Sequence, residues 1–408
     1  MRVTVFGVGW SKGKAVLVFA VFCLFIFFIW RSVNSINRNL VISADLTALN
    51  FPGAVSVSDT ESLSMLEDSL AGATVTDAPK PKKCKYKIII TWKTKTTFYL
   101  FDTPLWLFEP RTGKWLVLPD GGKCLENAVK QLEAKNPYGE FLTWSQTKEI
   151  FRMHDKARAV DVDSGMSFNV ERRAGNNHAD VQPLTARDSA IMKIIYGGKW
   201  SWKRKAIIVE VGGRRIAASM NGMPHGAGAI SGNDFDGHFC MHFLDSRTHS
   251  NEENLAHQLM VWKAAGKLAE MLAGAAPERV VQVMLVAMEQ SDAALAARLF
   301  QTPKGSNDKE VCDQLKKIKW MAVSKISSLR REKDICKFDM VVSYGLGDGT
   351  QVRNRRVTFI LMKDQGLIPW KISRSTITEL LNGQKMNGAG TPSSKDTLYS
   401  DWFIDTKM

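Results

Sequence analysis

The spacing of apolar positions changes character along this chain, and each change marks an element. Residues 15–30 form an uncharged apolar run, preceded by Arg2, Lys12 and Lys14. With Val33 and its neighbours the run reaches the roughly 17–25 residues that a spanning helix needs. A cleaved secretory signal has a shorter apolar core, with a small-residue cleavage site close behind. The nearest candidate here, Ile42-Ser43-Ala44, lies too far downstream. The pattern therefore predicts an uncleaved transmembrane anchor over residues 1–31. The preceding cations keep the N-terminus in the cytoplasm, and everything beyond about residue 31 lies outside it. Residues 32–83 are rich in Ser, Thr, Ala and Asp, lack a strong period, and end in Ala-Pro-Lys-Pro-Lys-Lys at 78–83. That composition predicts a stalk, with a short helix near 61–71.

From residue 84 the pattern turns to short β-favouring runs, at 86–92, 97–101, 105–108 and 114–118. Thr112-Gly113 and Asp120-Gly121-Gly122 supply turns, so 84–138 reads as a β-rich module with one helix over 125–134. Residues 157–162 and 166–171 pair around Asp163-Ser164-Gly165, and 206–211 and 214–219 around Gly212-Gly213; both read as hairpins. A helix starts at Thr185 with Asp188 in its first turn, and another spans 254–272. Over 276–374 the pattern is helix, helix, then strands. Val280, Val281, Met284, Leu285 and Met288 share one face of a helix over 277–300. A second helix covers 310–320, and strand-like runs follow at 321–329, 338–344, 352–361 and 370–372. Residues 375–408 read as a tail. The chain is thus a mixed, β-rich α+β protein.

The chain has 408 residues, 45% of them hydrophobic and 24% charged, enough for two or three domains with real cores. Its net charge of +14 predicts attraction to polyanions. No nucleic-acid-binding module is recognisable, and the anchor places the bulk outside the cytoplasm. The expected polyanion is then an anionic cell-envelope polymer or lipid surface, and nucleic acid is not expected. Of the six cysteines, Cys23 lies in the anchor. Cys84 with Cys124, and Cys312 with Cys336, bracket two segments that a disulfide can close in an oxidising compartment. That leaves Cys240 unpaired: a buried small hydrophobe in the plain reading, but a reactive thiol in its polar, glycine-rich setting.

Cys240 sits in the stretch 219–249, SMNGMPHGAGAISGNDFDGHFCMHFLDSRTH. Five of the seven histidines fall between His225 and His257, and glycine recurs at 222, 226, 228, 232 and 237. A thiol becomes a nucleophile when an imidazole favours its thiolate, and bare glycine backbone can aim N–H groups at an oxyanion. His225-Gly226 followed by Gly237-His238-Phe239-Cys240-Met241-His242 resembles the catalytic motif of the YkuD-type L,D-transpeptidases. The wider run resembles a group of Gram-positive envelope proteins carrying His-Ala-Asp, Met-Pro-His-Gly and Gly-His-Phe-Cys-x-His-Phe. The resemblance covers about 141–266, within a catalytic domain over 139–272, and implies a β-sandwich-like fold. It makes Cys240 the acyl-accepting nucleophile, His225 its base, and His238 a contributor to the oxyanion site. His242, Gly226, His178 and Asp180 then contact substrate. The implied reaction is acyl transfer on peptidoglycan stem peptides through a thioester, with no cofactor and no metal. Phe239 stands where the family has glycine, and His242 where it has arginine. The region 276–374 resembles, in pattern only, the nuclear-transport-factor-2-like (cystatin-like) cone of envelope proteins.

Two rival readings use the same residues. His178, Asp180, His225, His238, Cys240 and His242 offer N, S and O donors for zinc, as an envelope peptidase or amidase would need. On a strand, His238, Cys240 and His242 would share one face. The other rival is a silent wall-binding module, with the histidines as satisfied core and loop residues. Asp245, Ser246, Arg247, Thr248 and His249 read equally well as the cap of the following helix.

Overall fold

The computed structural model describes residues 40–302 and 309–381. They fall into two compact units that divide after Asn136. The expected anchor at 15–30 lies outside the described residues, as does most of the expected tail. Among the described residues no helix is long and apolar enough to cross a membrane.

The first unit is a seven-stranded sheet in the order β2-β1-β4-β5-β6-β7-β3. Its strands are β1 (Val41–Ala48), β2 (Ala54–Val57), β3 (Thr74–Thr76), β4 (Tyr86–Trp92), β5 (Thr96–Phe101), β6 (Trp106–Glu109) and β7 (Lys114–Val117). Helices α1 (Thr60–Ala71) and α2 (Lys123–Glu133) complete it. Residues 41–76 were expected in the stalk, and here they differ: β1 is an inner strand between β2 and β4. Its buried positions are Val41, Ala44, Leu46 and Ala48. Small alanines bury well but give little hydropathic contrast against Ser and Asp, so the strand's period is muted.

The second unit begins with α3 (Trp144–Thr147) and a closed antiparallel barrel. The barrel is built from two three-stranded meanders. One is β8 (Lys156–Asp161), β9 (Ser167–Ala174) and β10 (Ala179–Pro183); α4 (Ala186–Ile195) follows. The other is β11 (Ser201–Val211), β12 (Arg214–Gly222) and β13 (Phe239–His242). Pairing of β8 with β11 and of β10 with β13 closes the ring. The expected β-sandwich is therefore corrected to a barrel: those two seams leave no edge strand to splay the meanders into facing sheets. The interior holds Phe168, Val170, Val181, Ile207, Val209, Ile216, Ala218, Phe239 and Met241, all essentially without exposure.

Outer-facing Ala206, Ile208 and Ala217 pack under α5 (Leu255–Ala264), whose Leu259, Met260 and Ala264 are buried there. α6 (Leu268–Met271) leads to α7 (Pro277–Glu289), α8 (Ala293–Ala297) and α9 (Lys309–Leu315). These pack on a four-stranded sheet of β14 (Ile318–Arg331), β15 (Ile335–Leu346), β16 (Gln351–Lys363) and β17 (Trp370–Ile372). One apolar cluster runs from the outer barrel face through α7 to Phe338, Tyr344 and Phe359 of this sheet. The segments expected as separate domains thus share a core. The expected helix over 277–300 breaks in two at Ser291, which adopts a left-handed φ of 61°. Asp292 then caps α8 by accepting from Leu295 N–H at 2.9 Å. The first residues of the expected tail form α10 (Arg374–Leu381), held by buried Ile377 and Leu380.

Neither expected disulfide is present: Cys84, Cys124, Cys312 and Cys336 are free. Bracketing a segment in sequence does not bring two thiols together. Cys312 lies on helix α9, whereas Cys336 is buried in strand β15 opposite Arg331 and Leu361.

Candidate functional site

Strand alternation builds the site. On β13, Phe239 and Met241 point into the barrel, so Cys240 and His242 point out, with His238 preceding them on the same side. On β10, Ala179 and Val181 point in, so Asp180 and Gln182 point out, with His178 just before. The register pairs Asp180 with Cys240. One outward patch therefore gathers a thiol, a carboxylate and several imidazoles from residues 60 positions apart.

Two loops bring the remaining groups. His225 and His238 exchange backbone hydrogen bonds, each 2.9 Å, folding the 223–237 loop back over β13. That turn requires glycine. A Cβ on Gly237 (φ 112°) would lie 2.5 Å from the His225 carbonyl oxygen, and one on Gly226 (φ 62°) 2.5 Å from the His238 ring. The second loop is pinned where Arg247 N–H donates to the Asn177 carbonyl at 3.0 Å, and it carries His249 over the patch.

At the centre, Cys240 Sγ lies 3.3 Å from His225 Nε2, 3.5 Å from His249 Nε2 and 4.0 Å from Asp180 Oδ1. Asp180 Oδ1 is 3.0 Å from His178 Nε2, 3.7 Å from His249 Nε2 and 3.8 Å from His238 Nε2. His225, His238, Cys240 and His249 offer ligand atoms all within 4.8 Å of one another, as do His178, Asp180, Cys240 and His249.

The tautomers follow from the outer hydrogen bonds. His178 Nδ1 contacts the Arg247 carbonyl at 2.7 Å, His225 Nδ1 that of Met223 at 2.8 Å, and His238 Nδ1 that of Ala227 at 3.0 Å. A carbonyl only accepts, so each Nδ1 must carry the proton. In the neutral ring the lone pair is then on Nε2, aimed at the centre. The Nε2 atoms of His178 and His238 are buried with no hydrogen-bond partner. Asp180 Oδ1 approaches His178 Nε2 but lies off the hydrogen-bonding direction. Converging lone pairs repel unless a proton or a cation sits among them.

The charges are strongly coupled. Burial pushes the Cys240 thiol up, but the neighbouring imidazoles of His178, His225 and His242 outweigh it and bring the thiol down to about 4. Burial lowers His178, but Asp180 and the Cys240 thiolate lift it to about 10. His225 is raised, chiefly by its hydrogen bond to Cys240. Burial raises Asp180, but the close approach and charge of His178, with the charges of His238 and His249, hold it below the usual carboxylate range. Without a metal the cluster is thus held together by protons.

A pH dependence follows. The unfolded thiol titrates near 9.0 and the folded one at about 4, so its contribution is complete above about 9 and is lost as pH falls through 4. His178 rises from 6.5 to about 10, so its contribution is complete below 6.5 and is lost as pH rises through 10. Each slope is about 1.4 kcal/mol per pH unit, and the two oppose each other between 6.5 and 9. The metal-free protein is expected to be most stable on a plateau across that window, with lower urea midpoints at about pH 5 and about pH 9.5. A midpoint still rising at about pH 9.5 contradicts the pairing.

Of the residues singled out in the sequence, Cys240, His225, His238, His178 and Asp180 meet here. Gly226 serves the loop, with the His238 ring occupying the space of a side chain. His242 is corrected. It was expected to contact substrate, but it is 2% exposed, stacked between His178 (4.4 Å) and His257 (3.7 Å). Burial drives both His242, to about 4, and His257, well below its ordinary value, toward the neutral form. Helix α5 covers that end of the patch, with Ser219 Oγ 2.9 Å from His257 Nδ1. His249 was read either as part of the cap of the following helix or as a substrate contact, and the cap is Asn254. The signal that could have found it is its place in the same histidine-dense stretch, nine residues beyond Cys240. Trp202, 4.9 Å from the His225 ring, was also not foreseen.

Neither the protein-family models nor the curated proteins searched match this chain.

Proposed function

We propose that this chain is a metal-dependent peptide hydrolase of the cell envelope, with a zinc-class ion held by Cys240, His225 and His238. One observation carries the reading: three imidazoles are locked by main-chain carbonyls with Nε2 turned inward, and two of those atoms are buried without a partner. Outer hydrogen bonds of this kind orient metal-ligating histidines. The spacing agrees. Tetrahedral zinc with bonds of about 2.0–2.3 Å separates its ligand atoms by roughly 3.3–3.6 Å. The Cys240 sulfur is 3.3 Å from His225 Nε2, and His238 offers its ligand atom within 4.8 Å of both. So does the charge, since a dication balances one thiolate and one carboxylate and leaves the two ligating imidazoles neutral.

A zinc ion with three protein ligands supplies an acidified water and polarises the scissile carbonyl. Around it, Asp180 accepts a proton at Oδ1, and the His178 imidazolium, its Nε2 3.0 Å away, steadies the carboxylate by its charge. His249, on the solvent side, donates a proton to the leaving nitrogen. One water is consumed: the acyl carbon gains the hydroxyl and the amine gains the proton. The substrate class, peptidoglycan stem peptides, rests on the resemblance of the 225–242 motif to envelope enzymes. So does an envelope location, anchored through residues 15–30, with the positive net charge drawing the protein to anionic polymers. The helix-covered sheet of 276–374, cystatin-like in pattern, serves as an accessory part.

One observation favours a second reading. Cys240 Sγ at 3.3 Å from His225 Nε2, with His225 Nδ1 on the Met223 carbonyl, is a nucleophile, base and orienter. As an L,D-transpeptidase-type enzyme, Cys240 attacks a peptide carbonyl, and the departing amine takes its proton from the His225 imidazolium. An amine or water then resolves the thioester.

Two measurements on the purified full chain separate the readings. About one zinc per chain by elemental analysis, with no Cys240 adduct after a carbapenem-type acylating agent, is expected for the hydrolase. A Cys240 adduct by intact mass, with no bound metal, overturns it in favour of acyl transfer.

A further inference from the structure

Beside the cluster lies a cavity of about 650 Å³. Met223 and Pro224 form its near wall, and the Met223 carbonyl is the one that orients His225. Trp200 and Phe235 form an aromatic part of the lining, their rings edge-on at 5.1 Å. Asp234 and Asp236 add two exposed carboxylates. Neither has an ion-pair partner among the described residues, and no Lys or Arg lines the cavity. On a chain of net charge +14, the space next to the reactive centre thus has the opposite sign.

The acidic wall is pre-set. Asn233, 2% exposed, donates from Nδ2 to the Pro183 carbonyl at 2.8 Å and accepts at Oδ1 from Phe235 N–H at 3.2 Å. Its own carbonyl accepts from Ser189 Oγ. Upstream, Gln182 Oε1 accepts from the N–H groups of Ala229 and Ile230, at 2.6 and 3.1 Å. Asp234 is held at φ 53°, a left-handed conformation that non-glycine residues adopt only where the surroundings enforce it. Carboxylates on an anchored wall lose little freedom when they engage a cation. The Trp200 ring already accepts an ammonium, that of Lys193 at 5.4 Å. The cavity therefore combines fixed negative charge with an aromatic surface, the pairing that receives an amine at the end of an aliphatic stem.

We propose that this cavity is a specificity pocket for a basic side chain of the peptide substrate, with Asp234 and Asp236 pairing its ammonium and Trp200 packing on its methylenes. The inference rests on the peptide-hydrolase reading for its setting, since the pocket selects which peptide is presented to Cys240, His225 and His238.

The test uses the zinc-loaded full chain and two blocked alanine peptides that differ only in carrying Lys or norleucine at one position. Binding is read by calorimetry and cleavage as kcat/KM, for the native chain and for Asp234→Asn combined with Asp236→Asn. The native chain is expected to favour the Lys peptide by about tenfold in both readouts, and less in high salt. The double variant is expected to lose that preference while handling norleucine unchanged. Equal treatment of the two peptides by the native chain, or a Lys preference that survives in the double variant, overturns the proposal. If neither peptide is cleaved, the hydrolase reading fails, and calorimetry with the same pair still decides the pocket.

Discussion

Cys240→Ser is expected to leave the protein with no bound zinc and to cut peptide hydrolysis by more than about 100-fold, the upper end of what losing even an outer-sphere partner costs. The reason is donor chemistry. Thiolate supplies both a soft ligand and the negative charge that, with Asp180, balances the ion, and a neutral hydroxyl supplies neither. The loss should also be visible in stability. An ion present at 100 times its dissociation constant contributes about 2.7 kcal/mol. In a unit of this size each kcal/mol moves the melting temperature by about 2–4 °C. A chelator is therefore expected to lower the melting temperature of the native chain by roughly 5–10 °C and to leave Cys240→Ser unmoved. His238→Gln should behave in the same way, because it removes one of the two orphaned Nε2 atoms. Acyl transfer by Cys240 also predicts an inactive Cys240→Ser, so the chelator response of the native chain decides between the two. A melting temperature indifferent to chelation removes the metal.

Phe239→Gly, which places there the glycine of the motif that this stretch resembles, is expected to destabilise the second unit by about 4–6 kcal/mol. The Phe239 ring has no exposed surface and packs between Phe168 (6.2 Å) and Phe235 (5.7 Å) inside the barrel. Emptying such a site costs about 3–5 kcal/mol, and glycine within a strand adds about 0.5–1 kcal/mol. Against a total of about 5–15 kcal/mol for an ordinary protein, this leaves the fold near its midpoint. Urea unfolding of the two proteins measures it, and a difference under about 1 kcal/mol would mean the ring is not in the interior. Cys240, one position along, points the other way. The difference at 239 from the motif that this stretch resembles is therefore a matter of barrel packing, and it leaves His238 and Cys240 on the outer side.

The local pieces were legible. The turns at 163–165 and 212–213 predicted two hairpins that became β8–β9 and β11–β12. The strands of 318–372 and the helix at 60–71 were read from period and turn residues close to where they lie. Strand β1 was missed because Ala and Ser carry too little contrast. The helix over 277–300 was drawn too long because nothing local forces Ser291 into its left-handed turn. The chemistry was legible as residue types: a thiol among histidines, with His178 and Asp180 set apart for attention. His242, expected at the substrate, is buried, and His249, left between a cap and a substrate contact, lies over the patch. Strand alternation turns His242 toward the patch side, where the packing of α5 seals it, and the Arg247–Asn177 hydrogen bond brings the loop that carries His249 across.

What the amino-acid order determined alone is everything with a short reach. That includes the two-residue period that sends Phe239 inward and Cys240 outward, the glycines that let 226 and 237 turn, and the concentration of imidazole and thiol within one segment. What only the tertiary structure decided is which distant groups meet. Closure of β10 on β13 sets Asp180 opposite Cys240 across 60 residues, and a slip of one position in either strand would turn that strand's donor into the barrel interior. Pairing over such distances is chosen by the burial of both barrel faces together, a sum over the whole unit that no single stretch of residues carries.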